Sequence, residues 1–320
     1  MAENLQENQE LLNPEVEELS NLKREIKSAR KHEDDKEKQE SPYKEMIENQ
    51  KWPLTHWNRE NPEISLTFDD GYWAENIKHI LDTLRWSWIK ATFFILGDCL
   101  KDTPSLWKQA VEEWHQVCCH TFSHIYLSDW AYTDLWDKAK GIKAWPWGLN
   151  ETNLNEWTNN VIHLLWADYL NKIQAESWDW FPRKIKSDLL LRTEILMWEA
   201  QIKRTLGEEY LNKFKIEHPF FRFPWGCGAT ATRNINVLKE MWYLSIGWSD
   251  DFFRWLGKAR RHMTLSEVKN VGIRNWDIPL FHFKKSYWPG KTTEWAYIDA
   301  YIENMKNRNK WSTTTSEIIR

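Results

Sequence analysis

Two short motifs carry residue types that could bind a metal ion. Thr-Phe-Asp-Asp-Gly stands at residues 67–71 and His-Thr-Phe-Ser-His at residues 120–124, each just after an apolar run typical of a strand. One Asp and two His suit a divalent ion of the zinc type and leave coordination positions open for water. A second Asp beside the ion can accept the proton of that water. This combination of residues is typical of a hydrolase.

Each motif on its own has a more ordinary interpretation. An Asp-Asp pair in a turn more often caps a helix, and a lone His-x3-His is usually a surface or core pair. Cys118 and Cys119 directly precede His120, but we interpret them as small residues that fill a strand rather than as soft ligands. The conjunction of both motifs at two strand ends is what favours a metal site.

The elements that must position these motifs alternate along the chain. From about residue 62, β-rich runs alternate with helical patterns, which predicts parallel β/α units. The runs cover residues 64–68, 91–95, 117–119, 220–223, 243–247 and 278–283. Polar residues recur where the runs end, and in a closed β/α barrel the active site gathers at the carboxyl ends of the strands. We therefore expect a barrel of this kind with its site at that edge.

The chain divides into an arm and a larger domain. Residues 1–50 are dominated by Glu, Lys, Asn and Gln and are predicted to form a charged helical arm and linker, for which an unidentified binding partner is one interpretation. Residues 51–320 form the main domain. Within it, residues from about 130 to 185 exceed what one crossover needs and are predicted to be a helical insertion beside the site.

Composition excludes several classes of function. The 320 residues carry a net charge of -4, so no basic field is available to bind nucleic acid. No apolar stretch reaches the roughly 18 residues of a transmembrane helix, and the first residues lack the features of a signal peptide. Four cysteines are too few for a disulfide framework. We expect a cytoplasmic protein, or an extracytoplasmic one if an upstream leader is missing.

The tryptophan content is anomalous, with 24 Trp against 11 Gly. Trp88, Trp114 and Trp242 follow apparent helices at the position where a positive φ favours a residue without Cβ. Sugar-stacking platforms are an alternative explanation, but the scatter of the residues argues against it. Our hypothesis is that UGA codons, read as glycine in the source organism, are translated here as tryptophan; UGG codons at these positions would refute it.

Four motifs, in the same order along the chain, are similar to those of the polysaccharide deacetylases, a family that includes the NodB-like domain of the family 4 carbohydrate esterases. They lie at residues 67–71, 120–124, 222–226 (Arg-Phe-Pro-Trp-Gly) and 280–282 (Leu-Phe-His). The resemblance runs from about residue 64 to the C-terminus, apart from the insertion. It implies a distorted (β/α) barrel.

The resemblance also implies a role for each motif residue. Asp70, His120 and His124 would bind the metal ion, with zinc expected and cobalt, nickel or manganese as alternatives. Asp69 would be the general base. A metal-bound water and a polarised acetamide carbonyl would then start the reaction.

Further roles follow from the third and last motifs. Arg222 would hold Asp69 ionised, and the backbone N–H of Trp225 would stabilise the oxyanion. His282 would protonate the departing amine, and Leu280 would line the pocket for the acetyl methyl group. Without the other motifs, Arg222 would be interpreted as a rim salt bridge and His282 as a core imidazole.

One motif departs from the family pattern. The family's Asp-x-x-Asp-Trp aligns with residues 251–255, in which Asp251 and Trp255 match but Arg254 stands at the second acidic position. The carboxylate partner of His282 that the family pattern implies is therefore in question. A neighbouring cation would also lower the pKa of the His282 imidazolium. Asp250 or Asp251 is the expected substitute.

These observations predict a metal-dependent enzyme that hydrolyses N-acetyl, or alternatively O-acetyl, groups of a polysaccharide such as peptidoglycan or a chitin-like glycan. One alternative is a binding or scaffold protein that has kept the barrel but lost catalysis, which Arg254 and the charged arm would favour. A second is a metal-dependent amidohydrolase that acts on a small non-sugar amide.

Overall fold

The computed structural model describes most of the chain, which divides into two units, residues 1–44 and 45–320. The described residues are 41–55, 62–125, 127, 132–134, 151–177, 184–251, 264–275, 277–283 and 294–319. The predicted arm, residues 1–50, lies almost wholly outside these ranges, so the predictions of a helical arm and of a binding partner for it stay predictions. All elements of the site belong to the second unit.

Twelve helices and eleven strands occur in the described ranges. The helices are α1 (Lys44–Asn49), α2 (Ala74–Ser87), α3 (Gly97–Asp102), α4 (Pro104–Glu112), α5 (Glu151–Leu165), α6 (Ala167–Ser177), α7 (Ser187–Leu206), α8 (Glu208–Glu217), α9 (Thr232–Glu240), α10 (Leu265–Asn270), α11 (Glu294–Asn307) and α12 (Thr315–Ile319). The strands are β1 (Glu63–Ile64), β2 (Leu66–Asp70), β3 (Ala91–Ile95), β4 (Gln116–Cys119), β5 (Tyr132–Asp134), β6 (Lys184–Lys186), β7 (Phe220–Phe221), β8 (Leu244–Ser245), β9 (Asp250–Asp251), β10 (Pro279–His282) and β11 (Trp311–Ser312).

Seven of the described strands form one parallel sheet in the order β8-β7-β4-β3-β2-β10-β9. Every residue of β2, β3 and β4 is buried, as continuous runs in a sheet covered on both faces should be. All six runs predicted from the sequence contribute strands. The first run differs in being divided at Ser65, which separates β1 from β2.

The sheet curls, because its two edge strands are close in sequence. Strands β8 and β9 lie at opposite edges, yet only residues 246–249 connect them. Seven flat strands would separate the edges by roughly 29 Å, whereas this connection reaches about 18 Å at most. The edges must therefore approach each other, and the predicted distorted (β/α) barrel is confirmed.

Helix α2 shows why the helices cover the sheet. Its buried apolar residues Ile77, Ile80, Leu81 and Leu84 recur at the spacing that places them on one helical face.

Among the residues that the structure describes, no helix is both long and apolar enough to cross a membrane.

The segment predicted as an insertion has its two ends side by side. Strand β5 pairs antiparallel with β6, with Tyr132 opposite Lys186. Helices α5 and α6 lie between them in sequence. The Trp-rich patches at residues 145–147 and 178–180 lie outside the described residues.

Three helices end in the same hydrogen-bonded turn, with tryptophan at its left-handed position. Trp88, Trp114 and Trp242 have φ values of 58°, 67° and 64°, as predicted. At the end of α2, the N–H of Trp88 donates to the Arg85 carbonyl and the N–H of Ile89 to that of Leu84. This Schellman pattern usually has glycine at the left-handed position. The proposed UGA origin of these tryptophans stays a hypothesis.

Candidate metal centre

The candidate site lies where the carboxyl ends of four sheet strands meet. Asp69 and Asp70 are the last residues of β2, and His282 is the last residue of β10, opposite Asp69 in the register of the sheet. His120 follows β4 and Arg222 follows β7. Parallel strands bring these ends to one edge even though the residues are up to 213 positions apart in sequence.

Asp70, His120 and His124 come together as a potential ligand set. All three are buried, and one ligand atom from each lies within 4.8 Å of the others. The Asp70 Oδ1 is 3.2 Å from the Nε2 of His124 and 3.6 Å from that of His120. One carboxylate and two imidazoles are a donor set that fits a divalent ion of the zinc type and leaves positions open for water.

The orientation of His120 suits a metal ligand. Its Nδ1 is 2.9 Å from the backbone carbonyl oxygen of Arg222; since a carbonyl only accepts, Nδ1 carries the proton and Nε2 presents its lone pair towards Asp70. Burial, followed by the charge of His124, holds the pKa of His120 well below its ordinary value. The imidazole is therefore neutral, as ligation requires.

Asp69 has a different environment from Asp70. Its Oδ1 accepts a hydrogen bond of 2.7 Å from Nη1 of Arg222, which is fully buried. Its Oδ2 is 3.7 Å from the Nε2 of His120. Thus one oxygen of Asp69 is held by a cation while the other points towards the ligand set, the arrangement expected of an oriented base.

Arg222 is itself held on several sides. Its guanidinium donates to the Thr67 hydroxyl and to the backbone carbonyls of Ile246 and Gly247, and it lies 3.9 Å from the centre of the Phe94 ring. These contacts fix the fork of the guanidinium and therefore the carboxylate that it binds.

The other predicted residues are placed with differing completeness. Trp225 lies in a short turn after β7, with its ring 4.7 Å from that of His124, and Leu280 is buried on β10. The backbone of Asp251 pairs with Leu280, but its side chain is outside the described set. Trp255 and Arg254 lie outside the described residues, so the partner of His282 stays a prediction.

Three non-glycine residues of the two ligand motifs adopt a left-handed backbone. Asp70, Thr121 and His124 have φ values of 82°, 70° and 56°. Such values cost non-glycine residues free energy and persist where the surroundings enforce them, often at functional sites. Here they turn the ligand-bearing side chains towards one point.

Sequence reasoning missed Glu194, which lies in α7 and is fully buried. Its carboxylate accepts hydrogen bonds from the loop between His120 and His124. Burial raises its pKa, which those hydrogen bonds oppose. Burial, aided by the charge of Glu194, also raises the pKa of nearby Asp98 to about 7. A single Glu in a helical segment carries no local signal of such contacts.

A cavity of about 590 Å³, open to solvent, was also missed. It lies beside the turn that holds Trp225 and is lined by residues 52–55, Gly226, Ala229, Gly247 and Trp248. Leu54 joins this wall by pairing with Ile246. No motif marks residues 52–55 in the sequence.

Comparison with known proteins identifies the class. The family model described as polysaccharide deacetylase matches residues 57–145, which include the first two motifs. Peptidoglycan-N-acetylglucosamine deacetylase PgdA of Listeria monocytogenes is 44% identical over 68 residues, 21% of this chain and 15% of the relative. Chitooligosaccharide deacetylase of Sinorhizobium fredii is 40% identical over 67 residues, 21% of this chain and 31% of the relative. The chain thus spans less than a third of the length of these relatives.

Solved structures share the fold. A peptidoglycan N-acetylglucosamine deacetylase matches with a TM-score of 0.53 at 21% identity, over 85% of this chain and 94% of that one. A CE4 family pseudoenzyme from Bacillus anthracis matches with a TM-score of 0.53 at 14% identity, over 85% of this chain and 70% of that one. At these identities the likeness concerns the fold alone.

The resemblance stated from the motifs is therefore confirmed: residues 57–145 match the polysaccharide deacetylase family model, and the similar relatives are named as deacetylases. The family's enzymes are hydrolases that act on carbon–nitrogen bonds other than peptide bonds.

Proposed function

We propose that the chain is a metal-dependent deacetylase that hydrolyses N-acetyl groups of an acetylated glycan. The observation that carries the proposal is the buried set Asp70, His120 and His124 beside a separate, arginine-held Asp69. Zinc is the ion that this donor set fits best. When bound, a divalent ion would lower the pKa of water and polarise the acetamide carbonyl.

The protein's own groups divide the remaining work. Asp69 accepts the proton of the attacking water at Oδ2, while Arg222 retains Oδ1 and keeps the carboxylate oriented. The backbone N–H of Trp225 donates to the developing oxyanion, a role that does not depend on the side chain. His282 donates the proton that the departing amine needs, and Leu280 contacts the acetyl methyl group.

A glycan substrate is supported by the relatives and by the shape of the site. The names of the relatives specify peptidoglycan N-acetylglucosamine and chitooligosaccharides. In this chain, an open cavity lined in part by Trp52 and Trp248 lies beside the site, and aromatic side chains can pack against pyranose rings. Peptidoglycan or a chitin-like glycan is the proposed substrate, with N-acetyl preferred to O-acetyl. The cellular compartment stays a prediction.

The first test measures acetate released from N-acetylglucosamine oligomers and from peptidoglycan fragments by the zinc-loaded protein. We expect release that a chelator abolishes and zinc restores. Asp69→Asn should retain zinc and lose activity by a factor of about 10²–10⁴, whereas His120→Ala should lose both. His115→Gln is the matched control, because His115 is a buried histidine that bonds to the backbone of Ala91, away from the ligand set.

Each contrary result identifies a different error. Full activity in Asp69→Asn would end the assignment of the base. Glycan binding without acetate release by the zinc-loaded protein would favour a scaffold that has lost catalysis. Acetate release from small non-sugar amides but not from the oligomers would favour the amidohydrolase.

A further inference from the structure

The loop that supplies both histidine ligands is held by a carboxylate from a distant helix. The backbone N–H groups of Phe122 and Ser123 donate to the same oxygen, Oε2 of Glu194, at 2.9 and 2.8 Å. Glu194 lies 71 or more residues further along the chain, in α7, and is fully buried. Consecutive N–H groups that converge on one anion form a nest, a strong and directional anchor.

This anchor acts at the most constrained part of the loop. Residues 122 and 123 lie between Thr121 and His124, both of which have the left-handed backbone. The N–H of His124 in turn donates to the Thr121 hydroxyl. Without the carboxylate, two buried N–H groups would lose their acceptor, and the loop could relax towards ordinary φ values. Such relaxation would move the imidazole of His124.

The second oxygen of Glu194 connects the anchor to the predicted insertion. Oε1 accepts a hydrogen bond of 2.8 Å from the indole nitrogen of Trp157, in α5, and one of 3.3 Å from the Ser123 hydroxyl. Trp157 is buried as well. Both oxygens of one carboxylate thus join α5, α7 and the histidine loop.

We infer that Glu194 is a positioning residue that holds the histidine loop in its metal-binding conformation, and that Trp157 couples the insertion to the site through it. The inference rests on the proposed metal site. Glu194 touches neither the ion nor the substrate; it acts by fixing where the imidazole nitrogens lie. Partners of this kind typically change metal affinity by 10- to 100-fold when removed.

The test measures the zinc dissociation constant of the full chain by competition with a chromogenic chelator, together with the thermal unfolding of the metal-free protein. Glu194→Leu removes every acceptor and should weaken zinc binding by about 100-fold. Glu194→Gln keeps one carbonyl oxygen for the loop but sets its amide against the Trp157 donor, so about 10-fold is expected. Trp157→Phe, which leaves the loop contacts intact, should weaken binding by about 2- to 5-fold.

Glu199→Gln is the matched control. Glu199 lies in the same helix but bonds to Lys215 and Tyr243, on another side of α7. Its substitution should change the unfolding temperature without changing zinc affinity. This comparison separates positioning of the loop from general support of the helix.

The outcomes distinguish the two proposals. Absence of zinc binding by the wild-type protein would overturn the proposed function and this inference with it. Zinc binding by the wild type that Glu194→Gln and Trp157→Phe leave within twofold would overturn the inference alone. An equal loss of affinity in Glu199→Gln would also overturn it. Glu194→Gln and Trp157→Phe suffice for the decision if Glu194→Leu does not fold.

Discussion

The candidate metal centre and the outer helix ends share a backbone feature but use it differently. At the centre, Asp70 and His124 have positive φ values and buried side chains that face one another. At the helix ends, Trp88 and Trp114 have positive φ values and side chains that are 92% and 75% exposed. At the centre, the left-handed backbone orients side chains that contact one another. At the helix ends, the left-handed backbone closes the hydrogen-bonded turn, and the exposed side chain contributes nothing to it.

A fourth helix shows what such an end normally carries. After α11, the N–H of Asn309 donates to the Lys306 carbonyl and the N–H of Lys310 to that of Met305. This is the same pattern as at Trp88, with Asn309 at a φ of 53°. Glycine and asparagine are the residues that tolerate this position. The indoles of Trp88 and Trp114 at the equivalent position are exposed, so packing of the side chain does not explain why tryptophan stands there.

The largest effect should come from Asp70→Gly. Glycine suits the φ of 82° at this position, so the metal-free protein should be no less stable than the wild type in urea unfolding. Removal of a ligand should nevertheless weaken zinc binding by more than 100-fold and abolish acetate release. Retained zinc affinity would show that strain at the centre does not serve the ligand set.

An intermediate effect on stability is expected from Asp98→Asn, because the negative charge of Asp98 is unfavourable where it is buried near Glu194. The pKa of Asp98 is raised from 3.8 to about 7 by burial and then by Glu194. A raised carboxyl pKa means that the folded state holds the proton more tightly, so the related stability is present below about pH 4 and is lost as pH rises towards 7.

Asp98→Asn removes this dependence. At pH 8 the variant should be more stable than the wild type by about 1 to 3 kcal/mol, with little difference at pH 4. Urea unfolding at the two pH values measures the change. A constant difference between pH 4 and pH 8 would contradict the raised pKa.

The smallest effect per residue is expected at the helix ends. Trp88→Gly should stabilise the protein by about 0.5 to 1 kcal/mol, because relief of the left-handed strain exceeds the entropy that glycine adds to the unfolded chain. The triple variant with Trp114→Gly and Trp242→Gly should raise the melting temperature by a few degrees.

Trp86→Gly is the control for this prediction. Trp86 is 82% exposed but lies inside α2, where glycine costs about 0.5 to 1 kcal/mol. Two exposed tryptophans, two positions apart, should thus respond with opposite signs. Stabilisation by Trp86→Gly as well would mean that loss of the indole, rather than the backbone, is responsible.

Local patterns predicted a large part of the fold. The buried strands β2, β3 and β4 coincide with short runs rich in apolar residues and were found from that pattern. The left-handed positions at Trp88, Trp114 and Trp242 were also predictable, because a helix that ends before a strand commonly needs such a residue. Strand β9 was missed because its two residues, Asp250 and Asp251, have no β-forming character.

Sequence motifs predicted which residues the candidate site brings together, but not most of the contacts that hold these residues in place. Motif residues such as His120 and His124 can be recognised in the sequence by their type and spacing. Glu194 cannot, because its role depends on where α7 packs. The carbonyls of Ile246 and Gly247 that hold Arg222 likewise have no signature, since every residue has a carbonyl.

By itself, the sequence determined which side chains can do chemistry, which runs form buried strands, and which helix ends require a left-handed residue, because each depends on neighbours within a few positions. The family resemblance implied that Asp70 meets both imidazoles and that Arg222 binds Asp69, but only the tertiary structure shows these contacts and the anchoring of the loop by Glu194. These contacts join residues 50 to more than 150 positions apart. They exist because curling of the parallel sheet brings strand ends and covering helices to one edge, which no local pattern encodes.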